Sequence, residues 1–192
     1  WFTLPFTIPN YLAGHLGEEK LAEDSAEAAE TIARAQARID RLMSVRGENP
    51  HGPAHYHRQL GDILYWGCGV ARNIEDLKVA IDKIRSLRKD FWANVRITGD
   101  ANDMNQVLEY GLRVADYIDL GELMCIDALD RDESCGAHFR EDHLTEDGEA
   151  ERDDDNWCFV SAWEPGAAEG EFIRHAEPLY FDSIPLMTRN YK

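Results

Sequence analysis

Glu133-Ser134-Cys135-Gly136-Ala137-His138-Phe139-Arg140-Glu141-Asp142 joins two halves of different character. Upstream lie long helical patterns that end at Arg131. Downstream come an acidic run, Arg152-Asp153-Asp154-Asp155-Asn156-Trp157, and a short tail of β character. A glycine inside such a stretch marks a backbone turn or a close approach, and His138 and Arg140 can donate to carboxylates. The alternate spacing of His138, Arg140 and Asp142 puts them on one side of an extended backbone, within reach of an arginine fork or of another subunit's polar groups. The stretch reads as a folded polar junction. Glu133, His138, Arg140 and Asp142 are its structural or interface candidates, and a local salt-bridge network is favoured over chemistry, because paired charges perturb structure as readily as they mark function.

Working upstream, the periodicity predicts helices. A first runs from a cap at Asp24 or Ser25 to Arg46, with Ala29, Ile32, Ala33, Ile39 and Leu42 on one face and Gly47 as its stop. Pro53 suits the first position of a second helix that carries Tyr56, Leu60, Ile63, Leu64 and Val70. Asn73 caps a third, whose Ile74, Leu77, Ile81, Ile84, Leu87, Phe91 and Val95 make the cleanest amphipathic stripe. A fourth begins near Asp103, with Gln106 as capping partner, and carries Met104, Val107, Leu108, Val114, Ile118, Met124 and Leu129 to Arg131. Downstream, 157–163 and 171–175 flank a Pro-Gly-containing loop and read as a hairpin. The fold class is therefore mainly α: an antiparallel bundle of three to four helices with a small C-terminal β-hairpin appendage.

The chain has 192 residues and a net charge of −17, which repels phosphate backbones and argues against nucleic acid as a partner. Four widely spaced cysteines, two within helical patterns, are a poor disulfide framework and fit a reducing compartment. No apolar run approaches the about 18 residues of a membrane span, so direct membrane insertion is not expected. Residues 1–12 pack seven large apolar side chains with no charge. They are either a buried strand or turn of a complete domain or, the favoured reading, a piece severed from an upstream partner.

The chemical motifs fail one by one. His51, His55 and His57 include an i, i+4 pair but lack the intervening Glu of a zincin, and Cys135-x-x-His138 has no second pair at finger spacing. The nine carboxylates from Glu141 to Asp155 miss EF-hand spacing, since Gly148 as the loop glycine would put His143 and Thr145 at ligand positions, so a solvated mobile run is expected. Asp116, Asp119 and Glu122 read as an exposed helix face. Gly67-x-Gly69-x-x-Arg72 follows a helical pattern where a dinucleotide loop requires a strand, and Ser161 lacks a nucleophile elbow. No catalytic, cofactor-binding or metal residue is assigned.

The pattern Arg131-Asp132-Glu133-Ser134-x-Gly136-Ala137-His138-x-Arg140-x-Asp142, followed by Arg152-Asp153-Asp154-x-Asn156-Trp157, resembles the C-terminal part of the flavoprotein subunit of succinate dehydrogenase and fumarate reductase. The family often has Arg where this chain has Cys135. The resemblance runs from Trp1-Phe2-Thr3-Leu4-Pro5, similar to the family segment that follows its flavin domain, to Thr188-Arg189-Asn190-Tyr191-Lys192. It implies an FAD-dependent enzyme interconverting succinate and fumarate by hydride transfer, cytoplasmic and peripheral on the inner face of the membrane through partner subunits. It also implies that FAD and the dicarboxylate are bound upstream of this region, that the chain itself holds no cofactor, and that its partners are its own upstream flavin domain and an iron-sulfur subunit. Residues 1–23 are then a segment detached from that flavin domain, 24–131 the helical bundle, and 132–192 the junction and hairpin tail. The alternatives are the C-terminal domain of L-aspartate oxidase, which shares the helical region and a Glu-Ser-x-Gly motif, and a stand-alone helical interaction module.

Overall fold

A computed structural model describes residues 3–17, 22–168 and 170–187. Its elements, in order, are α1 (Thr3–His15), α2 (Ala26–Ser44), α3 (Pro53–Gly67), β1 (Ala71–Arg72), α4 (Ile74–Asn94), α5 (Gln106–Asp130), β2 (Phe139–Arg140), α6 (Asp154–Trp157), β3 (Phe159–Pro165) and β4 (Phe172–Pro178). Trp1, Phe2 and 188–192, at the two ends of the resemblance, lie outside the described residues. The chain divides into two units, 1–41 and 42–192.

In the first unit the apolar start is a helix rather than a strand, with Pro9 inside it. Ser25 opens α2 by accepting from the Ala28 amide at 3.2 Å. Of the expected core stripe of α2, Ala29 and Ala33 are exposed and Ile32 is 66% accessible, whereas Ile39 is half-buried and Leu42 buried.

The second unit is built around α3, α4 and α5, packed in all three pairs. Its core is the predicted stripe of α4 (Leu77, Ile81, Ile84, Leu87 and Phe91) against Tyr56 and Leu60 of α3 and Leu108, Val114 and Ile118 of α5, and Leu42 is buried with this unit. The Tyr56 and Phe91 rings meet edge to face with centroids 5.2 Å apart. Asn73 caps α4 as expected, its side chain accepting from the Asp76 amide at 2.9 Å. Gly67 lets α3 and α4 close up, because a Cβ there would sit 2.5 Å from that of Ala80.

Two boundaries differ from the sequence reading, each for a local reason. The second helix stops at Gly67, and Val70, expected in its stripe, is 87% exposed; past that point a Cβ at residue 69 would meet the Tyr65 carbonyl oxygen at 2.5 Å. The fourth begins at Gln106 with Asn105 as its cap, taking the Val107 and Leu108 amides at 3.0 and 3.1 Å. Met104 is thereby left outside the helix and fully exposed.

Beyond α5, β3 and β4 form the antiparallel hairpin, in register from Phe159 opposite Pro178 to Pro165 opposite Phe172. Phe159, Ser161 and Trp163 turn inward while Val160, Ala162 and Glu164 face out, the alternation a half-buried strand requires. Trp163 Nε1 donates to Asp127 Oδ1 at 2.7 Å and Arg174 pairs with Asp130 at 3.4 Å, which docks the hairpin on α5. A second, parallel pair was not expected: β1 lies beside β2, with Ala71 opposite Phe139 and Arg72 opposite Arg140.

Candidate functional site

The polar junction closes the C-terminal end of α5. Arg131, the first residue past that helix, turns its guanidinium to Glu133 Oε1 at 2.6 Å and to the carbonyls of Trp157 and Phe159 at 3.3 and 3.0 Å. The other oxygen of Glu133 accepts the Asp153 amide at 2.9 Å. Cys135 and His138 pair backbone to backbone around a tight turn in which Gly136 has φ +61°, a conformation that favours glycine. The chain then enters β2, held on one side by β1 and on the other by Ser134. The buried Ser134 hydroxyl accepts from the Arg140 amide at 2.8 Å and donates to the Arg140 carbonyl at 3.1 Å.

Arg140 is the centre of this arrangement and is fully buried. Its Nε and Nη2 grip the Asp142 carboxylate at 2.7 and 2.5 Å, and Nη2 also lies 3.4 Å from Asp132. Nη1 points at the carbonyl oxygens of Ala128, Leu129 and Arg131, at 3.3, 3.5 and 3.2 Å. The guanidinium thus supplies donors to carbonyls that a helix end leaves unpaired, and places a positive charge at the negative pole of α5. That fork holds the Asp142 carboxyl below its ordinary range.

Of the four sequence candidates, Arg140 and Asp142 are brought together and Glu133 joins them through Arg131. His138 turns elsewhere. Arg72 Nη1 donates to its Nδ1 at 2.9 Å, and its Nε2 donates to the Arg131 carbonyl at 2.9 Å. This pattern requires the neutral ring, and burial, followed by the nearby arginines, lowers its pKa. Since the unfolded chain takes up the proton first, this contribution to stability is present above about pH 6.5 and is lost as the pH falls below it. Urea unfolding at pH 7.5 and 5.5 checks this: His138→Gln, which keeps a donor and an acceptor without titrating, should flatten part of the change seen in the parent chain. Identical pH responses would mean that the ring is protonated at no cost.

Arg72, 66 residues upstream of His138, gave no signal of this partnership in the sequence. The hairpin is clamped to the same knot: the Arg131 and Arg174 guanidiniums both lie over Trp157 and Phe159, 5.0 to 5.7 Å from the ring centres. The acidic run 141–155 is folded as well. Leu144 bridges Ala150, and the Glu151 amide bonds the His143 carbonyl at 3.1 Å, where a mobile segment was expected.

A second correction concerns the carboxylate row on α5. Glu122 is fully buried, with Arg85 Nε 2.6 Å from one oxygen and Arg88 Nη1 2.5 Å from the other, while Arg88 Nε also reaches Asp119 at 2.9 Å. Asp116 and Asp119 are exposed as expected, but Glu122 is drawn into the seam between α4 and α5, because Arg85 and Arg88 at i and i+3 on α4 face it.

Among the described residues, Asp132, Asp142 and His143 are the one converging set of possible metal ligands. Arg140 already pairs with Asp142 at 2.5 Å, and Asp132 lies between that guanidinium at 3.4 Å and His143 Nε2 at 2.8 Å. His51 and His55 stack their rings 3.9 Å apart, and both nitrogens of His138 are engaged. In Gly67-x-Gly69-x-x-Arg72, Gly67 closes α3 against Ala80 of α4 and Gly69 lies against the Tyr65 carbonyl at the end of α3, an arrangement that follows a helix and not the strand of a dinucleotide loop.

The fold and junction together define a mainly helical domain whose longest helix is locked at its end by a buried arginine and carries a two-stranded appendage. The chain belongs to the family described as the fumarate reductase flavoprotein C-terminal region, whose model matches residues 57–191. It is 32% identical over 151 residues to the fumarate reductase flavoprotein subunit of Escherichia coli strain K12, covering 76% of this chain and 24% of that protein. It is 26% identical over 152 residues to the succinate dehydrogenase flavoprotein subunit of Bacillus subtilis, covering 78% of this chain and 24% of that one. A solved E. coli quinol fumarate reductase chain superposes with a TM-score of 0.72 at 27% identity, over 90% of this chain and 28% of that chain. The chain thus spans about a quarter of the length of the curated relatives it matches.

Proposed function

We propose that this chain is the C-terminal helical part of an FAD-dependent flavoprotein subunit that interconverts succinate and fumarate, and that it serves there as a scaffold and docking piece. The observation that carries this reading is how the family's junction motif is used. Glu133, His138 and Arg140 direct their polar atoms to partners within the chain, so none of these three faces a substrate. Exposed apolar side chains suit docking. Tyr65 and Trp66 stand out at the end of α3, and Tyr180, Ile184 and Met187 follow β4.

The partners in this reading are an upstream flavin domain, which would hold FAD, and an iron-sulfur subunit that takes up the electrons. Among the described residues no helix is long and apolar enough to cross a membrane, so attachment to the inner face of the membrane would run through partner subunits. The chain purified alone is expected to bind no FAD and to leave succinate unoxidised. Gel filtration with excess FAD followed by a flavin absorption spectrum tests this, and a yellow protein peak with equimolar flavin would overturn it. A chimera of the E. coli flavoprotein subunit with this chain in place of its matching quarter should assemble with its iron-sulfur partner and retain flavin; failure of both would count against the docking role.

A further inference from the structure

A groove of about 550 Å³ lies between the turn that follows α2 and the stretch that follows α4. It is far from the junction, because α4 begins beside the β1–β2 pair and ends at the groove, about 30 Å away at 1.5 Å per residue. Its walls are held by the backbone. The Arg96 amide donates to the His51 carbonyl at 2.8 Å and the His51 amide to the Asn94 carbonyl at 3.3 Å, which ties the two stretches side by side. Gly47 lies so close to the end of α4 that a Cβ there would overlap the Ala93 carbonyl oxygen and the Asn94 side chain. The Thr98 carbonyl accepts from Asn105 Nδ2 at 2.8 Å, so the far wall is pinned to the cap of α5.

The lining is part apolar and part cationic. Val45, Pro50 and Ile97 face the groove with Arg46, Arg96 and Thr98, and among the described residues no Asp or Glu does. In a chain of net charge −17 this is a local reversal of sign. Acids close by in the sequence are engaged or turned out. Asp90 takes the Asn94 side-chain amide at 2.6 Å, Asp100 takes the Asn102 backbone amide at 2.7 Å, and Glu48 is exposed outside the lining. Arg46 uses Nη1 on the Met43 and Val45 carbonyls, both at 2.7 Å, which fixes its guanidinium and leaves Nε and Nη2. The Arg96 guanidinium has no partner among the described residues. A guanidinium presents a planar fork that matches a carboxylate, and an apolar wall beside it suits a hydrocarbon body better than a bare inorganic ion. The volume falls within the about 300 to 1,000 Å³ usual for small-molecule sites.

We propose that this groove binds a small organic carboxylate, its head group taken by Arg96 and Arg46 and its apolar body laid against Val45, Pro50 and Ile97. The site needs no upstream domain and is tested on this chain alone. The experiment is amide NMR on the full 192-residue chain, titrated at constant ionic strength with 3-phenylpropionate as the probe. The Gly47, Thr98 and Gly99 amides should shift and saturate, while amides of the junction stay in place. Arg96→Ala should weaken binding about tenfold or more, the loss of one charge-assisted hydrogen bond, and Arg96→Lys should recover part of it. Four results would overturn the proposal: shifts that never saturate, unchanged affinity in Arg96→Ala, equal saturation by the neutral 3-phenylpropionamide, or the same shifts produced in full by inorganic phosphate. The amide and phosphate titrations use the parent chain, so they decide the matter even if Arg96→Ala does not fold.

Discussion

Arg140→Ala is expected to destabilise the chain by about 1.5 to 3 kcal/mol, the range for losing hydrogen bonds made by a charged group. Arg140 is fully buried, so its loss removes the donor facing three carbonyls at the end of α5, while the exposed Asp142 carboxylate loses its fork and turns to water. Against a typical total stability of about 5 to 15 kcal/mol, this is a large share. Urea unfolding followed by circular dichroism measures it. Arg140→Lys should recover less than half, because an ammonium group carries the charge but cannot span a carboxylate and a helix end with one planar fork. A loss within about 0.5 kcal/mol, the ordinary range of surface substitutions, would mean that the fork is not holding the junction. Placed in a complete flavoprotein subunit, the same change should lower the yield of assembled, flavin-containing protein and leave turnover per flavin intact. A hundredfold drop per flavin in fully assembled enzyme would instead make Arg140 a site residue.

Ile84→Asp should abolish folding of the second unit altogether. Ile84 has no accessible surface and sits in the middle of the α4 stripe, so the new carboxylate would have to be buried without a partner or carry α4 out of the bundle. Ile81→Asp should come close to it, since Ile81 is 7% exposed. Glu75→Ala, on the solvent side of the first turn of α4, is the control and should melt within a few degrees of the parent chain. Equal melting temperatures for all three variants would show that the stripe does not face a core.

The bundle was legible because its information is local and periodic. Asn73, Pro53 and the stripe from Leu77 to Phe91 each state their structure within a turn or two of helix. Where periodicity ran past its physical limit the reading overshot. Val70 fits the spacing of α3, but the glycines at 67 and 69 had already ended it, and Met104 fits the spacing of α5 before Asn105 had begun it. Glu122 was misread for a related reason. A carboxylate on a helix looks solvated until the opposite helix is known to present Arg85 and Arg88. The junction was half legible. The short-range pair Arg140–Asp142 follows from two-residue spacing, whereas Arg72, which engages His138 from the far side of α4, carries no mark of that partnership in its own neighbourhood. The face of α2 around Ile32 showed the limit of amphipathicity as a guide, since a stripe states that burial is wanted without saying what provides it.

The two-residue pairing of β1 with β2 has a topological consequence. It fastens the start of α4 to the segment beyond α5, through the ladder, the Glu141 amide on the Arg72 carbonyl at 2.8 Å, and the Arg72–His138 contact. The two helices between those points therefore form a closed lobe whose neck is tied without a covalent bond. The tip of that lobe, residues 99–104, is an exposed turn. A backbone break at the tip would separate the chain into two pieces still joined at the neck, by helix packing, and by the Arg85–Glu122 and Arg88–Glu122 pairs. The lobe is thus suited to assembly from two fragments cut at its tip.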